Sequence, residues 1–486
     1  MKSASSLIGM VLAAVLAGCA VPPKPELPPL RGSAPLAGIP TAADAAWPAA
    51  DWWSHYGDAG LDALEQKALS NSPNLAEARA RLETALRAVD AARAAAGATL
   101  DGNIQYQRQR LSENGLIPSE FLGFNWYSQG DIGLSFKYDF DFWGKQRATI
   151  EAALDSARAA IAERNAAMLM LSSAIADTWF AWQADHARLA LARKLVDARI
   201  RFRQIVDARV RAGIEPPDSL READANLADA REQQAALKGS ARIRRAALAA
   251  LLGVAPADLP PLVAKPLPSV SAGLPQKARL DLIARRPDIV ASRWRVEAAL
   301  QKATAARAAF YPDLSLSAMI GLSSIDLGKL LTAGSRVADI SPALHLPIFE
   351  GGRLRARYGQ TQAGLAAAAA AYDSAVVNAA RDVATQALKL EQIDARRRQS
   401  EARLDATQAM QDAIKARVDR GLVDDRELLA AGAKVIAARD AELVLDGAAI
   451  DADIALIKAL GGGYREPSSS KASLPGIPEV PTGKSR

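Results

Sequence analysis

The sequence predicts a mainly α protein that also carries membrane-type β strands and is built from two related halves. Three observations predict it. A run from Lys145 to Ala212 contains neither Gly nor Pro, several stretches alternate polar and apolar residues with period two, and motifs of the first half return in the second.

Composition narrows the function classes. The 486 residues are 50% hydrophobic but only 5% aromatic and look rich in alanine, which suits long helices in close contact. Lys and Arg number 60 against 54 Asp and Glu, a net charge of +6, and the two signs are interleaved. No basic block stands ready for a phosphate backbone, so a nucleic-acid partner is not expected. One Cys and three His (His55, His186, His345) exclude a disulfide framework and a zinc finger and leave little for acid/base chemistry. His-Glu-x-x-His, Gly-x-Ser-x-Gly and a Gly-x-Gly-x-x-Gly after a strand are all missing, and Gly483-Lys484-Ser485 lacks the upstream Gly of a phosphate loop because position 478 is Pro478. Neither catalysis nor a cofactor is expected.

The lone Cys is informative by position. Lys2, an apolar stretch from Leu7 to Ala17 and then Leu16-Ala17-Gly18-Cys19 have signal-peptide architecture, with an apolar run too short for a comfortable membrane span. Leu-Ala-Gly-Cys resembles the lipobox of bacterial lipoproteins, cut before a Cys that carries lipid; a secreted protein with a chance Cys is the alternative. The expected organisation is a signal peptide over 1–18 and a lipidated tether over 19–45, Pro-rich from Val21 to Pro40 and extended enough to stand off a membrane surface.

Two repeats follow, over 46–262 and 263–463. Asn71-Ser72-Pro73-Asn74-Leu75 is echoed by Arg285-Arg286-Pro287-Asp288-Ile289, and the same offset pairs Glu83 with Glu297, Arg93 with Arg307 and Leu100 with Leu314. A slightly shorter offset then pairs Gly144-Lys145 with Gly352-Arg353, Gly213 with Gly421 and Gly253 with Gly461, so the first copy has a longer loop between Leu100 and Gly144. Each copy predicts a helix (about Leu75 to Ala96; Ile289 to Ala309), two strands, a very long helix, a turn and a further helix. Pro73 and Pro287 suit a helix start, where no N–H is needed. Residues 464–486 have the Pro/Ser-rich composition of a disordered tail.

Period two is sharpest from Asp131 to Phe142, where Ile132, Leu134, Phe136, Tyr138, Phe140 and Phe142 alternate with Asp131, Ser135, Lys137, Asp139 and Asp141. Leu100, Ile104 and Tyr106 repeat the pattern more loosely, as do Leu314, Leu316, Ile320 and Leu322, and then Leu344, Leu346 and Ile348. A soluble half-buried sheet would read this way. So would strands crossing an outer membrane, whose length of about ten residues and aromatic-rich apolar face these match. Four strands cannot close a barrel, and lipid tolerates no open edge, so the membrane alternative requires several copies.

The run from Lys145 would extend roughly 100 Å as one helix at about 1.5 Å per residue. Leu154, Ile161, Met168, Ile175, Trp182, Leu189 and Val196 recur every seventh residue beside a column of Ala153, Ala160, Ala167, Ala174 and Ala181. A strict heptad makes helices supercoil, and the alanine column permits close approach of a neighbour. A cytosolic rod would also show heptads, but it explains neither the export signal nor the strands.

Trp52-Trp53-Ser54-His55-Tyr56-Gly57-Asp58 followed by Leu61-Asp62-Ala63-Leu64, the Arg285-Arg286-Pro287-Asp288-Ile289 segment, Ala308-Ala309-Phe310-Tyr311-Pro312-Asp313-Leu314 and Pro347-Ile348-Phe349-Glu350-Gly351-Gly352-Arg353 together resemble the outer-membrane efflux proteins, the TolC-like family, and within it the NodT-like or OprM-like lipoprotein branch. The resemblance spans nearly the whole mature chain. It implies a homotrimer, with a twelve-stranded β-barrel to which each chain gives four strands and a trimeric α-barrel of long coiled-coil helices. It also implies a periplasmic adaptor (membrane fusion protein), an inner-membrane pump of the resistance-nodulation-division class, and an outer-membrane lipid environment. The duct itself would be passive and would pass small molecules or drugs. A type I protein-secretion duct, and a lipid-anchored scaffold without a pore, remain alternatives.

The turns between long and short helices would then form the periplasmic tip. Gly421 can end one helix in a left-handed conformation, and Asp424 with Glu427 has the spacing of a capping box; Gly213 followed by Pro216-Pro217-Asp218 predicts another stop and cap. In the family, acidic side chains near the second turn line a closed entrance. Counted from the turn Gly, Glu427 matches the first of two family aspartates, while the second falls on Ala430. Asp424, Asp425 and Glu427, with Asp218 on the other turn, are therefore candidates either for a negative constriction or simply for helix capping.

Overall fold

The computed structural model describes residues 21–36, 38–39, 46–112, 119–270, 274 and 278–466. The signal peptide, Cys19 and the tail from 467 onward lie outside the described residues.

After a 3-10 turn over Trp52–Tyr56, the first half runs α1 (Ala59–Asn71), α2 (Pro73–Ala95), β1 (Thr99–Arg110), α3 (Ser119–Leu122), β2 (Trp126–Phe140), α4 (Lys145–Arg211) and α5 (Pro217–Leu251). The second runs α6 (Ala278–Arg285), α7 (Pro287–Ala308), β3 (Asp313–Ser324), β4 (Arg336–His345), α8 (Arg353–Val418) and α9 (Asp425–Ala459), with two 3-10 turns between its strands. The expected order thus occurs twice, with an extra short helix ahead of each Pro. Ser72, extended at ψ 127°, separates α1 from α2 because the residue before a Pro avoids the helical region.

Strand ends differ from expectation. β2 begins at Trp126 and stops at Phe140, so its ladder starts five residues before Asp131 and leaves Phe142 beyond its end. β4 begins at Arg336 and ends at His345, which puts Leu346 and Ile348 outside the ladder. Periodicity located the strands through their apolar positions, but Pro347 has no N–H to continue a ladder. Trp126-Tyr127-Ser128-Gln129-Gly130, which open β2, carry no polar–apolar alternation.

The chain divides into two compact units, each drawing on both halves of the sequence: 1–30, 82–160 and 292–372 form one, and 31–81, 161–291 and 373–486 the other. The first contains a single antiparallel sheet in the order β1-β2-β3-β4. Its register places Leu100 opposite Phe136, Ile104 opposite Ile132, Leu134 opposite Ile320 and Leu314 opposite Leu344, so the apolar residues share one face. At the middle, Gly133 faces Gly321, and a Cβ on Gly321 would stand 2.3 Å from the Ile132 carbonyl oxygen.

The second unit is organised around a buried aromatic cluster of Trp52, Tyr56, Trp179, Phe180 and Trp182 with Leu61, Ile175, Leu248 and Ile454. Each such side chain removed from water contributes about 1.5–3 kcal/mol. Of the predicted heptad column, Leu154, Ile175, Trp182, Leu189 and Val196 are buried, while the adjacent alanine column stays half-exposed. Asp58 ties this unit together. It caps α1 through the Gly60 amide (2.9 Å) and accepts from the Trp179 indole (2.9 Å) and the Lys265 ammonium (2.9 Å). Burial opposes its charge, but those three donors outweigh it and hold its carboxyl below the usual range. Gln183 grips the segment joining the halves, accepting from the Lys265 amide at 2.7 Å and donating to the Val263 carbonyl at 3.3 Å.

The Pro-rich start has neither helix nor strand, as expected, but it does not stand free. In the first unit Arg307 donates to the Pro22 carbonyl (2.9 Å) and Tyr358 to that of Pro23 (2.7 Å); in the second, the Arg31 amide donates to Asp373 and Ala34 and Leu36 are buried. Pro leaves its carbonyl unpaired within its own segment, and the helices supply the donors. Over its described part the tether is a docked strap.

Candidate functional site

Two regions are the candidates for function. The first is the sheet. Its apolar face is open: Ile104 is 83% and Ile340 75% exposed, and Leu100, Ile320 and Leu344 are exposed as well. A β-branched residue left in water on this scale loses the burial that justifies it. Aromatic rings gather at both ends. Phe124, Trp126 and Tyr127 stand at one; at the other, Phe140 stacks on Phe142 and Trp143 on Tyr311 (4.5 Å), with the Trp143 indole donating to the Pro312 carbonyl. Amphipathic rings at two levels bounding an apolar band are the arrangement of a strand set in a bilayer. The opposite face is polar and internally hydrogen-bonded: Asn103 donates to Ser135 (3.1 Å) and Ser323 to Asp131 (2.6 Å). Among the described residues β1 and β4 are edges without a partner strand.

The second region is the pair of helix turns. α4 ends at Gly213 (φ 67°) and α8 at Gly421 (φ 70°), both left-handed. The next amides reach back five residues, Ile214 to Arg209 and Leu422 to Arg417, closing Schellman turns that a Cβ at either Gly would strain. Asp424 is the N-cap of α9 and accepts from the Arg426 amide at 3.0 Å, but Glu427 does not complete a capping box; its carboxylate lies 4.0 Å from Arg417. In the other turn Pro216 occupies the cap position with no side-chain bond, so Asp218 is not a cap. Pro217 fills the first helical position, and Asp218 pairs with Arg221 at 3.2 Å. Asp425 is exposed.

A four-charge network joins the turns, and sequence reasoning missed three of its members. Glu215, largely buried, accepts from Arg209 (2.9 Å) and from Arg426, while Arg426 also holds Asp424 at 2.8 Å and Arg209 approaches Asp424 at 3.9 Å. The Arg426 hydrogen bond keeps the Asp424 carboxyl below the ordinary range. Nothing in the local pattern marks Glu215, because its cationic neighbours come from two different hairpins. Only the equivalence of Gly213 and Gly421 hinted that the turns would meet.

The profile of the outer membrane efflux protein family matches this chain twice, over residues 64–254 and 279–462. The chain belongs to that family. It is 34% identical to the multidrug resistance outer membrane protein MdtP of Escherichia coli O6:H1 over 433 residues, 87% of this chain and 88% of that protein. MdtQ of Escherichia coli O157:H7 is 31% identical over 469 residues, covering 93% and 96%. Among solved structures, VceC of Vibrio cholerae superposes with a TM-score of 0.77 at 32% identity, covering 86% of this chain and all of that one. The channel OprN reaches 0.81 at 23% identity, a likeness of fold. As a family member the protein is an outer-membrane efflux protein.

Proposed function

We propose that three copies of this chain form a passive exit duct through the outer membrane, for small molecules or drugs expelled by an inner-membrane pump. One observation carries the proposal: a sheet with a lipid-type face and two unpaired edges. Open edges are not stable in hydrocarbon, whereas three such sheets joined edge to edge give twelve strands and no edge. The half-exposed alanine column of α4 supports close contact with a second copy in the helical part.

The two repeats, 46–262 and 263–463, are read as copies of one unit, supported by the doubled element order and the two matched stretches. Residues 1–18 serve as the signal peptide and Cys19 carries the lipid, in keeping with the strap that holds Pro22 and Pro23 against the strand-bearing unit. The hairpin tips are the natural seat for a periplasmic adaptor linked to a resistance-nodulation-division pump. Ile214 and Leu422 occupy equivalent positions there and are 61% and 66% exposed. With the two turns clasped through Glu215 and Arg426, Asp425 and Glu427 are the exposed acids left to face the axis, Glu427 being 4.0 Å from Arg417.

Purified protein in planar bilayers should form trimers that conduct, and Glu427→Ala should raise closed-state conductance or lower cation selectivity. A scaffold without a pore shows no channels, and identical single-channel behaviour removes Glu427 from the gate.

A further inference from the structure

The strand-bearing unit contains a groove of about 1190 Å³ between the first turns of α4 and α8 and the end of α7. Its floor is alanine, with Ala152 and Ala306 buried and Ala305 half-buried among the lining, and its rim is charged: Lys145, Lys302, Arg353 and Arg357, with Asp313, Glu350 and His345. The register fixes which way it opens. Asp313 and His345 are directly paired across β3 and β4, and each precedes or follows an apolar-face residue, Leu314 and Leu344. Strand alternation therefore puts both on the polar face, the side that becomes the lumen when the sheet closes into a barrel.

The charges do not balance. Asp313 is matched by Lys145 at 3.6 Å, and Glu350 by Arg353 at 2.7 Å. Lys302 and Arg357 are exposed and have no carboxylate within ion-pair distance among the described residues, which leaves two uncompensated cations per chain. The basic start of α8 runs against helix stability. α8 opens Arg353-Leu354-Arg355-Ala356-Arg357 with no acid in its first turn, where the helix dipole is positive and favours carboxylates. Local rules broken without a structural return point to a functional requirement.

We propose that this groove is an anion-binding vestibule on the lumen wall, just below the strands, which draws small organic anions such as carboxylates and sulfonates into the barrel. The alanine floor accepts their apolar parts and Lys302 and Arg357 their charge. The inference rests on the duct reading above, and the experiment separates the two.

Reversal potentials are measured in planar bilayers under a roughly tenfold KCl gradient for the wild type, Lys302→Gln/Arg357→Gln, and the charge-conserving Lys302→Arg/Arg357→Lys. The wild type and the conserving variant should share one reversal potential, and the neutralised variant should shift toward the potassium side with channels still opening. The difference in reversal potential between wild type and neutralised variant should also fade between about 0.1 M and about 1 M salt, as screening shortens from about 10 Å to about 3 Å. An unchanged potential in conducting neutralised channels overturns the vestibule alone. Absence of channels in the wild type overturns the duct, and the vestibule with it.

Discussion

Ile320 and Phe180 are both large and apolar, yet they sit in opposite solvents. Ile320, in the sheet, is 65% exposed on an open face; Phe180, in the aromatic cluster, is 2% exposed and packed edge-on against Tyr56 at 4.9 Å. One region buries apolar surface within the chain and is complete alone. The other turns the same residue types outward and is complete only against lipid and further strands. The sheet is thus an interface on one face and along both edges, while the cluster is a conventional core.

The contrast predicts opposite consequences for substitutions of similar violence. Ile320→Arg should lose about 2–4 kcal/mol per chain at mid-bilayer depth, three times over in a trimer, and abolish membrane insertion. The helical unit should keep its circular dichroism and thermal transition; a lowered transition would mean that this face packs inside the protein. Phe180→Ala should behave inversely, lowering stability by about 3–5 kcal/mol, read as a drop in Tm, while the lipid-facing register remains intact.

A smaller effect concerns Glu65, completely buried beside the cluster with neither carboxyl oxygen hydrogen-bonded. Burial, and secondarily the Asp62 charge, push it up to about 9 from 4.5. The folded state therefore keeps a proton that the unfolded chain gives up, and stability falls as pH rises between those two values. Glu65→Gln should match the wild type near pH 4 and exceed its Tm at about pH 8. Equal melting curves at both values would show that Glu65 finds a donor in solution.

Much of this was legible in the sequence because its signals are periodic. Heptads gave the long helices, alternation gave the lipid face, and the Gly213/Gly421 pair gave both turns. Signals that depend on two distant segments were not legible. The clasp of Glu215 by Arg209 and Arg426, the Asp58–Lys265 knot and the docking of Pro22 on Arg307 each join residues far apart in the chain, with no local pattern to announce them. Asp218 misled for another reason: Pro-Pro-Asp reads as a cap, but Pro217 takes the first helical position itself and moves Asp218 inside.

The unpaired edges of β1 and β4 have a genetic consequence. In the proposed three-chain barrel each chain must offer two sound edges, since one spoiled edge leaves the whole ring open and a breach in lipid has no partial remedy. An allele damaged only along β4 would then act dominantly. Expressed equally with the intact allele, and mixing at random into threes, it would leave roughly one assembly in eight free of the defect.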